Sequence, residues 1–299
     1  MSIPRFKLTD DSIVKRLRWV MIAAMLFSMY NTLAGQPARF WLNPEQAIRG
    51  DGLRLHNSVN HTFEFFLSRG WQLYALSCLI YMALAFVVVS ILPRKAALVA
   101  GLSVIFGHYY GSCNWLAVRW HLGFDGVGLY ALLLSAAIAW VVSPIPNQTG
   151  DEILRRLRWV MFGVMLFDPI LTLIGQPGSY WAHPETVHEA NGFWRWFMVR
   201  GWSDFVLMHL LYDLGAFWLA STLPRRYAVV IIFAFTFGHF DGASNWLFYE
   251  WRLGIETPVI YGIVLSSIIV FLSFRRSKEP NSMTENSPAS TAAARTVCC

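Results

Sequence analysis

The chain repeats itself. RLRWVM at Arg16 to Met21 returns at Arg156 to Met161, and FGHYYGSCNWL from Phe106 to Leu116 returns as FGHFDGASNWL from Phe237 to Leu247. Between these anchors GQP recurs at Gly35 and Gly175, RGW at Arg69 and Arg200, and LPR at Leu92 and Leu223. The offset is 140 residues early and 131 later, so the first copy carries nine extra residues, IRGDGLRLH, between Glu45 and Asn60. A duplicated chain is constrained to fold each half alike, and every element proposed for one half must have a twin in the other.

The twins are apolar. Hydrophobic residues make up 56% of the chain and charged ones 14%, too little polar surface to wrap a soluble globule of 299 residues. Runs approaching the ~20 residues that cross ~30 Å of hydrocarbon occur at Trp19 to Leu33, Trp71 to Leu92, Ala96 to Val118 and Val127 to Val142. Their counterparts are Trp159 to Ile174, Trp202 to Leu223, Ala228 to Tyr249 and Val259 to Phe274. The expected fold is all-α: a polytopic membrane protein of eight transmembrane helices in two parallel four-helix repeats. The first repeat covers residues 1–142, a cytoplasmic linker 143–152, the second repeat 153–276 and a disordered cytoplasmic tail 277–299. The first, fourth, fifth and eighth runs are short and need flanking Trp and Arg to reach the interface. The first run is not a cleaved leader, because its twin stands in mid-chain.

Sixteen Lys and Arg fall on one side of this arrangement and eight on the other. The positive-inside rule then puts both termini in the cytoplasm, in the cytoplasmic membrane. An even number of helices per copy makes the repeat parallel, with its pseudo-twofold axis along the membrane normal. The net charge of +6 is accounted for by this asymmetry, and no soluble basic stripe points to nucleic acid. Cys78 and Cys113 fall within spans and Cys298 and Cys299 end the chain, so no disulfide framework is indicated.

Within FGHxxGxxNWL, Gly107 with Gly111 and Gly238 with Gly242 form GxxxG, extended backward by Ser103 and Ala234. Such ladders let membrane helices approach closely, which would leave His108, His239, Asn114 and Asn245 as interhelical hydrogen-bonding groups. If the third and seventh helices cross on the axis, His108 and His239 face one another, and such a pair suits haem or a metal.

Charge distinguishes the halves. Asp168, Asp204, His209, Asp213 and Asp241 stand where the first copy has Ser28, Leu73, Cys78, Met82 and Tyr110. His209 and Asp213 are four apart on one helical face. At ~1.5 Å per residue, Asp168, Asp204, His209, His239 and Asp241 fall at similar depth, with Asp213 about a turn deeper. Ionisable groups facing lipid are costly and are expected to turn inward. Three readings stay open: a satisfied polar core, a substrate or proton path, or a metal-assisted site. In the third, His209, Asp213, His239 and Asp241 would be ligands and Asp168 the base on a bound water.

The loops outside carry GQPxxFWxNPE from Gly35 to Glu45 and GQPxxYWxHPE from Gly175 to Glu185. Each is followed by an Asn-capped aromatic segment, at Phe63 and Phe193, suited to the headgroup layer. Glu45, Glu185, Arg69 and Arg200 are candidates for a lid that reads a polar headgroup. No Walker loop, GxSxG, dinucleotide fingerprint or Cys-x-x-Cys occurs. The expected partners are the bilayer and a small polar or lipid-like molecule, bound or translocated through an outward polar cavity. The alternatives are a membrane-embedded metal-dependent lipid hydrolase or transferase, and a non-catalytic scaffold. No cofactor or oligomeric state is legible.

Overall fold

The computed structural model describes residues 11–50, 61–145 and 147–273. Among them there is no strand, and eight helices are long and apolar enough to cross a bilayer. These are α1 (Ser12–Ala34), α2 (Trp71–Ile91), α3 (Arg94–Asn114), α4 (Gly123–Val142), α5 (Asn147–Ile174), α6 (Trp202–Thr222), α7 (Arg225–Asn245) and α8 (Glu256–Ser273). The protein is an all-α, multi-pass membrane protein, since only a helix satisfies its own backbone in hydrocarbon. Asn60 and the tail with Cys298 and Cys299 lie outside the described residues.

The short apolar runs are lengthened by their flanks. Asp11 caps α1 by accepting the N–H groups of Ile13 and Val14, so the helix begins well before Trp19 and includes the arginines of RLRWVM. The polar linker expected over 143–152 is helical from Asn147 onward, which leaves only a tight turn between α4 and α5. Asn, Gln and Glu tolerate the helix, and once the turn is made the backbone gains its hydrogen bonds by continuing it.

Each recurring motif has a local job. Gly70 and Gly201 of RGW sit at φ +124° and +145°, a region only glycine enters easily, and cap α2 and α6. Pro93 and Pro224 of LPR precede α3 and α7 in extended geometry. Arg16 donates to the Trp140 carbonyl at the end of α4, and Arg156 to the Leu272 carbonyl at the end of α8. Both satisfy carbonyls that a helix C-terminus leaves open.

The packing is a ring, α1–α3–α8–α5–α7–α4 and back to α1, with α2 outside against α1 and α6 outside against α5. Each fourth helix thus lies against the third helix of the other half, α4 on α7 and α8 on α3. Across the middle α3 meets α7 through rings: Phe106 is 4.7 Å from Phe237 and 4.8 Å from Phe240, and Tyr109 is 4.8 Å from Phe237. Buried positions make up 56% and 61% of the spans of α3 and α7 but 28% of α2 and α6, so the first pair is central and the second faces lipid. Leu76, Leu79, Leu84 and Leu207, Leu211 and Trp218 are exposed accordingly.

Candidate functional site

Two glycines make room for two tryptophans. A Cβ on Gly175 would stand 2.5 Å from the Trp246 ring, and one on Gly35 would stand 2.7 Å from the Trp115 ring. The glycine of each GQP therefore seats the tryptophan of each NWL, which explains why those motifs recur together. The chain just beyond Asn114 and Asn245 widens into a π-turn, over Trp115–Arg119 and Trp246–Glu250, a local form found often at functional sites.

The glycine ladders clasp a neighbouring helix only at Gly242, which lies against Asp168 of α5. Gly107 and Gly238 have nothing within 4 Å of a Cβ, and neither has Gly128 of α4. They open space instead, a pocket on each side of the ring. The expectation of close helix contact at GxxxG is met at Gly242 and corrected at Gly107 and Gly238: the bulky Phe106, Tyr109, Phe237 and Phe240 hold the α3–α7 crossing, and these small residues face away from it. His108 and His239 stand two residues beyond Phe106 and Phe237, ~200° around a helix, so they do not meet across the axis. His108 lines one pocket beside Tyr81, at 5.9 Å, and His239 lines the other.

The second-half pocket, about 410 Å³, brings together Asp168, His209, His239 and Asp241. His239 Nδ1 is 2.9 Å from Asp168 Oδ2, joining α7 to α5. His209 Nδ1 is 3.2 Å from Asp213 Oδ1 within α6. The two imidazole rings lie 5.6 Å apart. Trp194 stacks on His209 at 4.4 Å, with Phe205 and Tyr212 around it. A carboxylate at Nδ1 fixes an imidazole's tautomer and orientation, so each ring offers Nε2 for exchange with a bound molecule. Asp168 owes its position to Gly242, where a Cβ would lie 2.6 Å from the carboxylate oxygen. Pro169, next in α5, removes an N–H from the helix ladder beside this group.

Asp213 is fully buried behind His209, about a turn deeper as its position implies, and its Oδ2 lacks a partner among the described residues. Asp241, 8% exposed, is held by Asn245 Nδ2 at 3.3 Å on one oxygen, while its Oδ1 is unpartnered. Asn245 thus bonds along its own helix, and Asn114 likewise donates to the Tyr110 carbonyl at 3.1 Å. Asp204 lies elsewhere: it is exposed in the first turn of α6, where a carboxylate meets the helix dipole, and does not line the pocket. Nor do the candidate ligands His209, Asp213, His239 and Asp241 converge. Among the described residues no three His, Cys, Asp or Glu side chains gather as a metal site. Of the lid candidates, Arg69 lies over the Phe65 ring, Arg200 lies over the Trp196 ring and Glu185 pairs with His183. None of these, nor Glu45, lines either pocket.

A vestibule of about 610 Å³ opens from the second-half pocket, the two sharing Phe124, Glu189, Asp241, Asn245 and Trp246. Its rim is His188, Glu189, Ala190 and Glu250, all in connections on one side of the bundle. Gln176 of GQP sets this rim: its amide donates to the His188 carbonyl at 2.8 Å and accepts from the His188 N–H at 2.8 Å. Glu189 then turns inward and caps the Asn191 N–H at 2.7 Å. Burial, and secondarily the charge of Asp168, push its carboxyl up to about 7 against the pull of the Asn191 and Ala190 N–H groups. Asn191 in turn caps the short helix Gly192–Met198 that carries Trp194. Glu189, Glu250 and Trp194 were not singled out by sequence. Glu189 falls just after the point where the offset changes from 140 to 131; its counterpart by the later offset is Ser58, which lies outside the described residues.

The first-half pocket, about 390 Å³, is lined by Ser28, Thr32, Cys78, Tyr81, Gly107, His108, Gly111 and Trp115, with Ile255 just before α8 and Val259 and Ile263 within it. The same positions in the second half are Asp168, Thr172, His209, Tyr212, Gly238, His239, Gly242 and Trp246, with Phe124, Gly128 and Leu132 of α4. Comparison of the chain with protein-family models, curated proteins and solved structures finds no match.

Proposed function

We propose that the protein binds, and passes or presents, a small polar or lipid-like molecule in the second-half cavity. The chain is read as a tandem duplication whose two halves enter the membrane in the same direction. Both termini lie in the cytoplasm and the vestibule opens to the outside of the cytoplasmic membrane. The observation that carries the function is the pairing of two imidazole–carboxylate couples, 5.6 Å apart, with open space between the helices that bear them. A group whose only task is structural packs against its neighbours. Asp168, His209 and His239 line a pocket continuous with a wide mouth, with Asp213 directly behind, and burying so many ionisable groups is hard to sustain without a use. The couples also suit proton transfer to a bound molecule, so a lipid hydrolase or transferase is the second reading.

Native mass spectrometry of protein extracted from its own membrane tests the proposal. Wild type is expected to carry a small-molecule adduct that Asp213→Asn and His209→Ala both lose at unchanged folded yield. Equal adduct occupancy in all three would overturn it. A bound molecule recovered chemically altered would move the assignment to the enzyme. Sidedness is checked with a cysteine at Asn191, which a membrane-impermeant maleimide should label from outside intact cells, and one at Ser143, which it should not.

A further inference from the structure

We infer that the ligand of the second-half cavity is an organic ammonium, a primary amine on an apolar body that carries no phosphate. This rests on the proposed ligand-binding role and deepens it.

The charge balance comes first. Asp168, Asp241, Glu189 and Glu250 line pocket and vestibule, with Asp213 directly behind His209. Among the described residues, no Lys or Arg lines either. The opposing groups are His188, His209 and His239, so the other four carboxylates outnumber the imidazoles even with every imidazole charged and Glu189 protonated. Buried carboxylates without counter-charge are costly, and a bound cation relieves that cost where an anion would deepen it.

The acceptors come second. Asp241, more than nine-tenths buried, lines both spaces with Oδ1 unpartnered, and the Asn245 Oδ1 one turn on is also unpartnered. An ammonium is donor-only, with three N–H groups to place, and these two oxygens sit on adjacent turns of one helix. An alcohol would satisfy one of them; a carboxylate or phosphate would meet acceptors with acceptors. The walls come third. Trp194, Tyr212, Phe205, Phe124 and Trp246 line the space, and aromatic faces attract cations while packing against an apolar body. A zwitterionic phospholipid head brings a phosphate that no lining cation can meet, which disfavours it.

Three probes that share one skeleton and differ in head charge test this: 2-phenylethylamine, 2-phenylethanol and phenylacetate, titrated calorimetrically into the detergent-purified full chain at neutral pH. The amine is expected to bind at least about tenfold tighter than the alcohol, with no detectable binding of phenylacetate. Asp241→Asn should weaken the amine about tenfold and leave the alcohol within about twofold. Phosphoethanolamine, the same head bearing a phosphate, should compete poorly. Equal affinity for amine and alcohol would overturn the ammonium assignment while leaving ligand binding intact. Phosphoethanolamine competing as well as phenylethylamine would overturn it in favour of a phospholipid head. Failure of all three probes to bind would sink both proposals. Should Asp241→Asn not fold, the amine-to-alcohol ratio in the wild type decides alone.

Discussion

The pocket beside α3 and the pocket beside α7 have one frame and two chemistries. Both are opened by glycine at matching positions, Gly107 and Gly238, both hold a histidine, His108 and His239, and both are bounded by a tryptophan seated on a GQP glycine. The first is furnished with Ser28, Cys78 and Met82 and the second with Asp168, His209 and Asp213. At the mouth, Arg119 donates to the Gly35 carbonyl in the first half, while Glu250 takes its place in the second and faces His188 at 3.9 Å. The two spaces thus share a packing frame and differ in charge, so each can be altered without the other.

The largest effect expected is at the buried couple. Asp213→Met leaves His209 Nδ1 without its acceptor in a fully buried place, at a cost of about 2–3 kcal/mol. Adding His209→Cys recreates the Cys78 and Met82 pair of the other half and should restore most of that loss. A double-mutant cycle from thermal melts in detergent reads the coupling; additive losses would mean that the two halves are not interchangeable at this point.

The frame should fail equally on both sides. Gly175→Ala and Gly35→Ala each force a Cβ into an indole ring at under 3 Å, and overpacking of this kind costs about 2 kcal/mol. Matching losses support a common frame, and a difference above about 1 kcal/mol between them breaks the comparison.

How far the sequence carried this picture depends on whether a position had a twin. The eight spans were legible because hydrocarbon demands length and apolarity, and the charged set Asp168, His209, Asp213 and Asp241 emerged by subtracting one half from the other. Asp204 passed the same subtraction and still lies outside the pocket, since an offset says nothing about which way a side chain faces. The glycine ladders were misread for a related reason: close approach and empty space both require small residues, and only the neighbouring helix decides between them. That neighbour was itself not legible, because no local pattern announces that α4 lies on α7 and α8 on α3. Glu189 stands beside the insertion of the other half, where the offset changes and a pairing with Ser58 carries little weight.

A smaller contrast isolates charge from frame. A Cβ on Gly111 would meet Ser28 Oγ at 4.0 Å, whereas one on Gly242 would meet Asp168 Oδ2 at 2.6 Å. Gly111→Ala should stabilise by up to about 1 kcal/mol through helix propensity. Gly242→Ala should forfeit that gain by pushing the carboxylate off His239 Nδ1. Melting temperatures of the two variants check the difference, and equal stabilisation would show that Asp168 is not held where it is drawn.

The last contrast is a pH dependence that only the second half should show. With its carboxyl pushed up to about 7 from an ordinary value near ~4.3, Glu189 keeps in the folded protein a proton that the unfolded chain releases. The stability this contributes is complete below about pH 4.3 and is lost as pH rises through 7. Wild type should therefore melt at progressively lower temperature between pH 5 and 8 relative to Glu189→Gln, which holds a neutral amide throughout. Asp168 supplies part of the upward push, and His188, Asp241 and Glu250 share the same vestibule. Asp168→Asn should accordingly move the midpoint of that loss to lower pH without abolishing it, because burial, the larger cause, remains. A midpoint unmoved by Asp168→Asn would mean that the two carboxylates do not sense each other and that vestibule and pocket are electrically separate.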